Sequence, residues 1–384
     1  MTDPEFDSPV RAVLGIVEKV EAVDPLTVRF HLSSPEADFP QLAGDYRAVI
    51  LPDGMTAEMA RDAPVGTGPF KVEMLSPEGT TRLAAFDGYY LGRPKLDAVE
   101  ITAIADASAR LQAMIADQVD LLLTIDPKQG RLFEGNPDVQ MQRIPSGDWN
   151  AIDFQTDVKP FDDPRVRKAL RIAVDREEMT SLLLGNGNGV VACDTPVWPG
   201  DLYYWQGDCP QDIEGARKLL AEAGYADGID VEIATSDVEE NMVQIVEVYQ
   251  QQVAEAGIRV KLKMTSSDGF WDNVWMQTPA FVDSWGQRPA TQVLNEVYRS
   301  TAAWNVSNWK RKDFDEMLDA ARSEPDPVRR KAIYEKIQEV LFDEGGMLIP
   351  YHKVLLRVVS SRVKGIEPPF VTENIDWQNV TIDN

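Results

Sequence analysis

The 384-residue sequence predicts an α/β fold in two lobes. Three observations carry that prediction. The chain is too long for one compact core. Two strand-helix-strand periodicities lie far apart along it, and a right-handed crossover builds each such sheet locally, so two separate units imply two lobes. Finally, there is neither a repeat of solenoid length nor a low-complexity tract, and the interior reads as globular throughout.

The elements follow in chain order. Val99-Ile101 alternates as a strand, Ala107 to Ala116 is helical with Leu111, Met114 and Ile115 apolar, and Val119 to Ile125 is a buried strand. Together they predict a parallel pair with a helical crossover. The stretch from Trp149 to Phe161 is the expected crossing between lobes. Asp163-Pro164 then starts a helix, with a capping carboxylate and a first-turn proline, and Val166, Ala169, Leu170, Ala173 and Val174 form its apolar face. Asp175 and Glu178 cap the next helix, Arg176 to Leu184. Asp212 caps a third, which Gly224 ends. In the second strand-helix-strand unit, Ile229, Val231 and Ile233 alternate, a helix runs from about Glu239 to Ala256, and Gly257 stops it. Ile258, Val260, Leu262 and Met264 then alternate, with Arg259, Lys261 and Lys263 facing solvent. Helices near Asp313 to Arg322 and Val328 to Asp343 complete the chain.

Composition narrows the function. With 38 basic against 63 acidic side chains the formal charge is -25, which repels nucleic acid and anionic lipid alike. No stretch is apolar enough to span a bilayer, and Met1 to Pro9 lacks the basic start and apolar run of a secretion signal. Cys193 and Cys209 stand in a loop-like stretch without metal or redox spacing. They are either two buried thiols or a disulfide, and a pair would contribute about 3 kcal/mol and imply an oxidising compartment.

Catalytic constellations are scarce. Of the two histidines, His31 lies in the alternating strand Thr27 to Leu32, and His352 has no recognisable nucleophile or metal partner beside it. The run Val65-Gly66-Thr67-Gly68-Pro69-Phe70 lacks the Lys-Ser/Thr of a phosphate loop, and Pro69 removes an amide donor. It reads as a tight turn into the strand Phe70 to Met74. No cofactor and no metal site is expected.

Four stretches, in order, resemble the peptide and nickel family of solute-binding proteins that serve ABC importers. They are PVGTGPF at Pro64 to Phe70, FDGYYLGRPKLDAVEI at Phe86 to Ile101, KPFDDPRVRKALRIAVDREEM at Lys159 to Met179, and ARKLLAEAGY at Ala216 to Tyr225. A weaker fifth is EVLFDEGGMLIPYH at Glu339 to His352. The resemblance implies a two-lobed, type II-like periplasmic binding protein fold, with lobe 1 taking residues 1–150 plus 352–384 and lobe 2 taking 151–351. Family members generally carry a further segment before the part resembling Phe6 to Leu32, so lobe 1 is expected to lack its N-terminal segment. The implied function is extracytoplasmic capture of a peptide or peptide-like solute by a monomer that delivers it to an ABC permease and its ATPase. Other solutes of this family, an opine, a glycoside or a chelated metal, remain alternatives. A two-domain hydrolase using His352 is the alternative from another class.

In two-lobed α/β proteins, ligand groups gather at the C-terminal ends of strands and at helix starts, in the cleft. That places Trp149, Asn150 and Asp153 on the crossing strand, Asp283, Trp285 and Arg288 after the second unit, and Trp304, Asn305 and Trp309 on an aromatic run among the candidate ligand-binding residues. The loop Ser236 to Asn241 is a further candidate rim, although Glu239 and Glu240 disfavour an anionic ligand end there. Arg288 either pairs bidentately with a ligand carboxylate or makes an ion pair with an acid of the protein. Trp285 and Trp304 offer flat apolar walls, whereas Trp198, Trp205, Trp271 and Trp275 are expected in the core.

Overall fold

The computed structural model describes residues 14–45, 48–367 and 375–383. Met1 to Pro9, the stretch read above for a secretion signal, lies outside the described residues. The chain forms two compact units. One comprises the described residues up to Leu42 together with Pro145–Val354, and the other comprises residues from Ala43 to Ile144 with those from Leu355 onward.

The larger unit is built on a five-stranded sheet. Its order is Ile258–Met264, Ile229–Thr235, Ala280–Trp285, Trp149–Phe154 and Met347–Leu348. The first three strands run parallel and the last two antiparallel to their neighbours. The second periodic unit is therefore a parallel pair, with the helix Met242–Val253 and a 3-10 turn at Ala254–Ala256 as crossover. Gly257 ends that turn at φ +79°, a left-handed conformation that glycine adopts without steric cost. Ile229, Val231, Ile233 and Ile258 are buried, while Arg259 and Lys261 lie outside and pair with Asp230 and Glu232 on the neighbouring strand. Alternation sent one set of side chains to the core and left the other to form cross-strand ion pairs.

Helices cover this sheet. Asp163, Asp175 and Asp212 each cap a helix through the side chain, accepting from the amides of Arg165, Glu178 and Gly215. The core joins Ile152, Phe154, Ile233, Tyr249, Phe281 and Leu294, all wholly enclosed. Residues 14–42 attach to this unit by charge as well as by packing. Glu36 meets Arg322 at 2.7 Å, and Asp38 accepts from the Tyr203 hydroxyl at 3.0 Å.

In the smaller unit the helical crossover is corrected. The strand Ala98–Thr102 and the strand Leu121–Ile125 flank the helix Ala107–Ile115 as expected, but they do not share a sheet. Ala98–Thr102 is the edge of a three-stranded antiparallel sheet with Thr80–Ala85 and Phe70–Met74. Leu121–Ile125 pairs antiparallel with Tyr351–Ser360, contributed from more than 200 residues away. Periodicity identifies a strand but not its hydrogen-bonding partner, and here the distant C-terminal strand took the place of the near one. Ile115, expected on the helix's apolar face, is exposed, while Leu111 and Met114 pack with Leu122, Phe133 and Val358.

Candidate functional site

The C-terminal ends of the parallel strands in the larger unit define one rim. Four pieces of chain meet there: the loop after Thr235, the segment Trp285–Pro289, the start of the antiparallel strand at Trp149, and the residues from Tyr351. Register fixes their alignment, because Trp285 stands opposite Trp149 and Asp283 opposite Ala151. Opposed residues in an antiparallel pair point to the same face, so Trp149, Trp285, Asp283 and Asp153 share one face of the sheet.

On that face Trp285 is the centre of an aromatic cluster. Trp149 stacks on it with centroids 5.9 Å apart and an interplanar angle of 18°, Trp304 meets it edge-on at 5.8 Å, and Trp275 lies at 6.5 Å. Trp271 extends the series from Trp275 at 6.0 Å. Trp304 and Trp271 are 42% and 38% exposed, so the cluster reaches solvent at two points, whereas Trp285, expected as an apolar wall, and Trp149 are buried beneath them. Placing Trp271 in the core is thereby corrected: the short helix Phe270–Asn273 buries Phe270 and turns the adjacent indole outward.

Asp283 does not face solvent. It is buried, and its carboxylate accepts from the Trp285 indole nitrogen at 2.5 Å and from the Ser284 amide at 2.7 Å. Burial pushes its carboxyl up to about 6, against the lowering pull of its tryptophan and amide donors and of the Arg288 charge. Asp153 is fully enclosed with both oxygens unpartnered, and burial together with the neighbouring Asp283 pushes it well above the carboxylate range.

Arg288 has a carboxylate partner within the protein. Its Nε lies 2.8 Å from Glu296 on the helix Ala290–Val297, its Nη1 donates to the Gly286 carbonyl at 2.9 Å, and its guanidinium sits 4.9 Å over the Trp285 ring. The turn that carries it is pinned at both ends, since the Gln287 amide donates to Asp148, the Gln287 side chain accepts from the Gly147 amide, and the Ala290 amide donates to Asp201.

The remaining sequence candidates divide. Asn150 is buried and accepts from the Tyr351 hydroxyl at 3.0 Å, on the opposite face from the tryptophans. Asn305 closes a loop on Trp309, exchanging hydrogen bonds of 2.9 Å with its amide and carbonyl, and Trp309 packs against Phe314 and Tyr298. Trp304 alone of that run joins the rim. Sequence reasoning missed Glu296, Tyr351 and Lys353. Lys353 is held below the usual lysine range by burial, which the nearby Asp148, Glu240 and Glu239 oppose. The motif ending in Tyr351-His352 was the one signal that pointed to this stretch.

His352 itself is enclosed, and burial lowers its imidazole to about 4 against the backbone groups of Thr195, Gly147 and Val197. Cys193 and Cys209 are joined in a disulfide. A cavity of about 210 Å³ lies among Pro160, Asp230, Glu232, Lys263 and Thr278, and includes none of the predicted ligand residues.

The sequence from residue 1 to 305 matches the family described as bacterial extracellular solute-binding proteins, family 5 Middle. The chain belongs to this family. Among its relatives, a glutathione-binding protein GsiB of Salmonella paratyphi A is 28% identical over 377 residues, covering 91% of this chain and 71% of the relative. The dipeptide-binding protein of Escherichia coli K12 is 26% identical over 373 residues, covering 91% and 69%. The solved structure of the ABC transporter substrate-binding protein CtaP from Listeria monocytogenes superposes with a TM-score of 0.86 at 24% identity, covering 99% of this chain and 81% of that one. The family fold is thus the two-lobed α/β architecture of solute-binding proteins. Among the described residues, no helix is long and apolar enough to cross a membrane.

Proposed function

We propose that this family 5 protein captures peptides or peptide-like small solutes outside the cytoplasm and hands them, as a monomer, to an ABC permease and its ATPase. The observation that carries the reading is the tryptophan rim at the C-terminal edge of the parallel strands, in a chain whose relatives are named for dipeptide and glutathione binding. Exposed indoles offer broad apolar surface at small entropic cost, which suits a ligand whose side chains vary. Asp283, by holding the Trp285 indole nitrogen, keeps the central ring in one plane. The burial of His352 speaks for binding rather than hydrolysis, because a general base has to reach the proton it removes.

Calorimetric titration with di- and tripeptides tests this. Saturable heat with a Kd near micromolar, about -8 kcal/mol, is expected. Trp304→Ala should weaken it by about 2 kcal/mol or more, as loss of an exposed aromatic anchor does. Heat with a glycoside or an opine and none with any peptide would replace the peptide by that solute.

A further inference from the structure

Glu296 holds Arg288 in an arrangement that no motif of the sequence announced. The two side chains are largely enclosed, with 26% of Arg288 and 13% of Glu296 exposed, and they meet through Nε and a carboxylate oxygen at 2.8 Å. The other carboxylate oxygen of Glu296 accepts from Gln292 at 2.9 Å, one turn earlier on the same helix, which fixes the acid before any solute arrives. The pinned turn fixes the guanidinium in the same way, and Trp285 lies under its face. Asp283, the other carboxyl near Arg288, is committed to the indole and the Ser284 amide and does not substitute for Glu296.

A solute carboxylate approaching Arg288 would meet a cation whose charge Glu296 already offsets from 2.8 Å. A second carboxylate drawn to the guanidinium would also stand close to that of Glu296, and like charges brought together in a partly enclosed place repel. We propose that Glu296 sets the charge selectivity of this rim: by supplying Arg288 with an internal carboxylate, it makes the rim at Arg288 and the exposed Trp304 read a solute by its apolar surface and not by a terminal carboxylate. This rests on the peptide reading above.

Alanyl-phenylalanine and its C-terminal amide, titrated into the whole protein and into Glu296→Gln, test the proposal. In the wild-type protein the two affinities agree within about twofold. Glu296→Gln frees the guanidinium and raises the ratio of free-acid to amide affinity about tenfold, the scale of one charge-assisted hydrogen bond, and adding Arg288→Gln returns the ratio to the wild-type value. A wild-type preference for the free acid of tenfold or more overturns the proposal without reference to any variant. Equal weakening of both peptides by Glu296→Gln overturns it too, since that is what a merely structural ion pair would do. Absence of binding by either peptide to either protein sinks the peptide reading and this inference together, whereas binding with an unchanged ratio sinks this inference alone.

Discussion

Asp283 shows how a single residue changes meaning between sequence and structure. As an acid at a strand end it is a candidate ligand contact, yet its oxygens are turned inward to an indole and an amide. Its titration has a definite sign. The folded value is raised to about 6 from 3.8, so its contribution to stability is fully present below pH 3.8 and is lost as pH rises through about 6. Asp153, also raised, acts in the same direction. His352 acts oppositely: its folded value is lowered from 6.5 to about 4, so its contribution is present above pH 6.5 and is lost as pH falls through about 4. Urea unfolding of wild type and Asp283→Asn between pH 4 and 7 should therefore show the variant gaining relative stability as pH rises. A difference that does not change with pH would remove Asp283 as the titrating group. The residue scale is also where sequence reasoning was weakest. The aspartates at caps were legible because a cap's partner lies two or three residues away, whereas the partner of Asp283 depends on which way a strand faces.

At the scale of elements, local signals carried far. The helices after Asp163, Asp175 and Asp212 and the stop at Gly257 were legible, because capping and left-handed turns are decided within a few residues. One consequence was not legible. Gly228, at φ +88°, approaches the carbonyl of Gly257 so closely that an added Cβ would lie 2.3 Å from that oxygen. Gly228→Ala should therefore cost about 2 kcal/mol or more, from a left-handed backbone combined with a backbone clash, and should lower the unfolding midpoint visibly. A change under about 0.5 kcal/mol would mean that the two strand entries can separate freely. The crossover expected around Ala107–Ile115 failed at this scale for a stated cause: alternation reveals that a segment is a strand, but its neighbour in the sheet is settled by chain that arrives much later.

Across the whole molecule, the larger unit is tied together by a buried charge triad. Asp194 accepts from Arg171 at 2.9 Å and Arg176 at 2.7 Å, and the Ile349 amide donates to its other oxygen. Two helices, a loop and the residue that follows the strand Met347–Leu348 thus converge on one carboxylate. Asp194→Ala leaves two buried guanidiniums without their anion and should destabilise this unit by about 3 to 5 kcal/mol, read from the unfolding midpoint in urea. A loss below about 1 kcal/mol would show that backbone carbonyls such as that of Phe342, 2.8 Å from Arg171, suffice for them. The sequence by itself determined the α/β class, the positions of the main helices and the aromatic and acidic residues from which the rim is drawn, because these follow from periodicity, capping and residue chemistry along short stretches. Only the tertiary structure decided that Trp285 stacks on Trp149, that Asp283 turns inward and that Arg288 is answered by Glu296. Those outcomes depend on sheet register and on the packing of a following helix, and no short window of sequence encodes either.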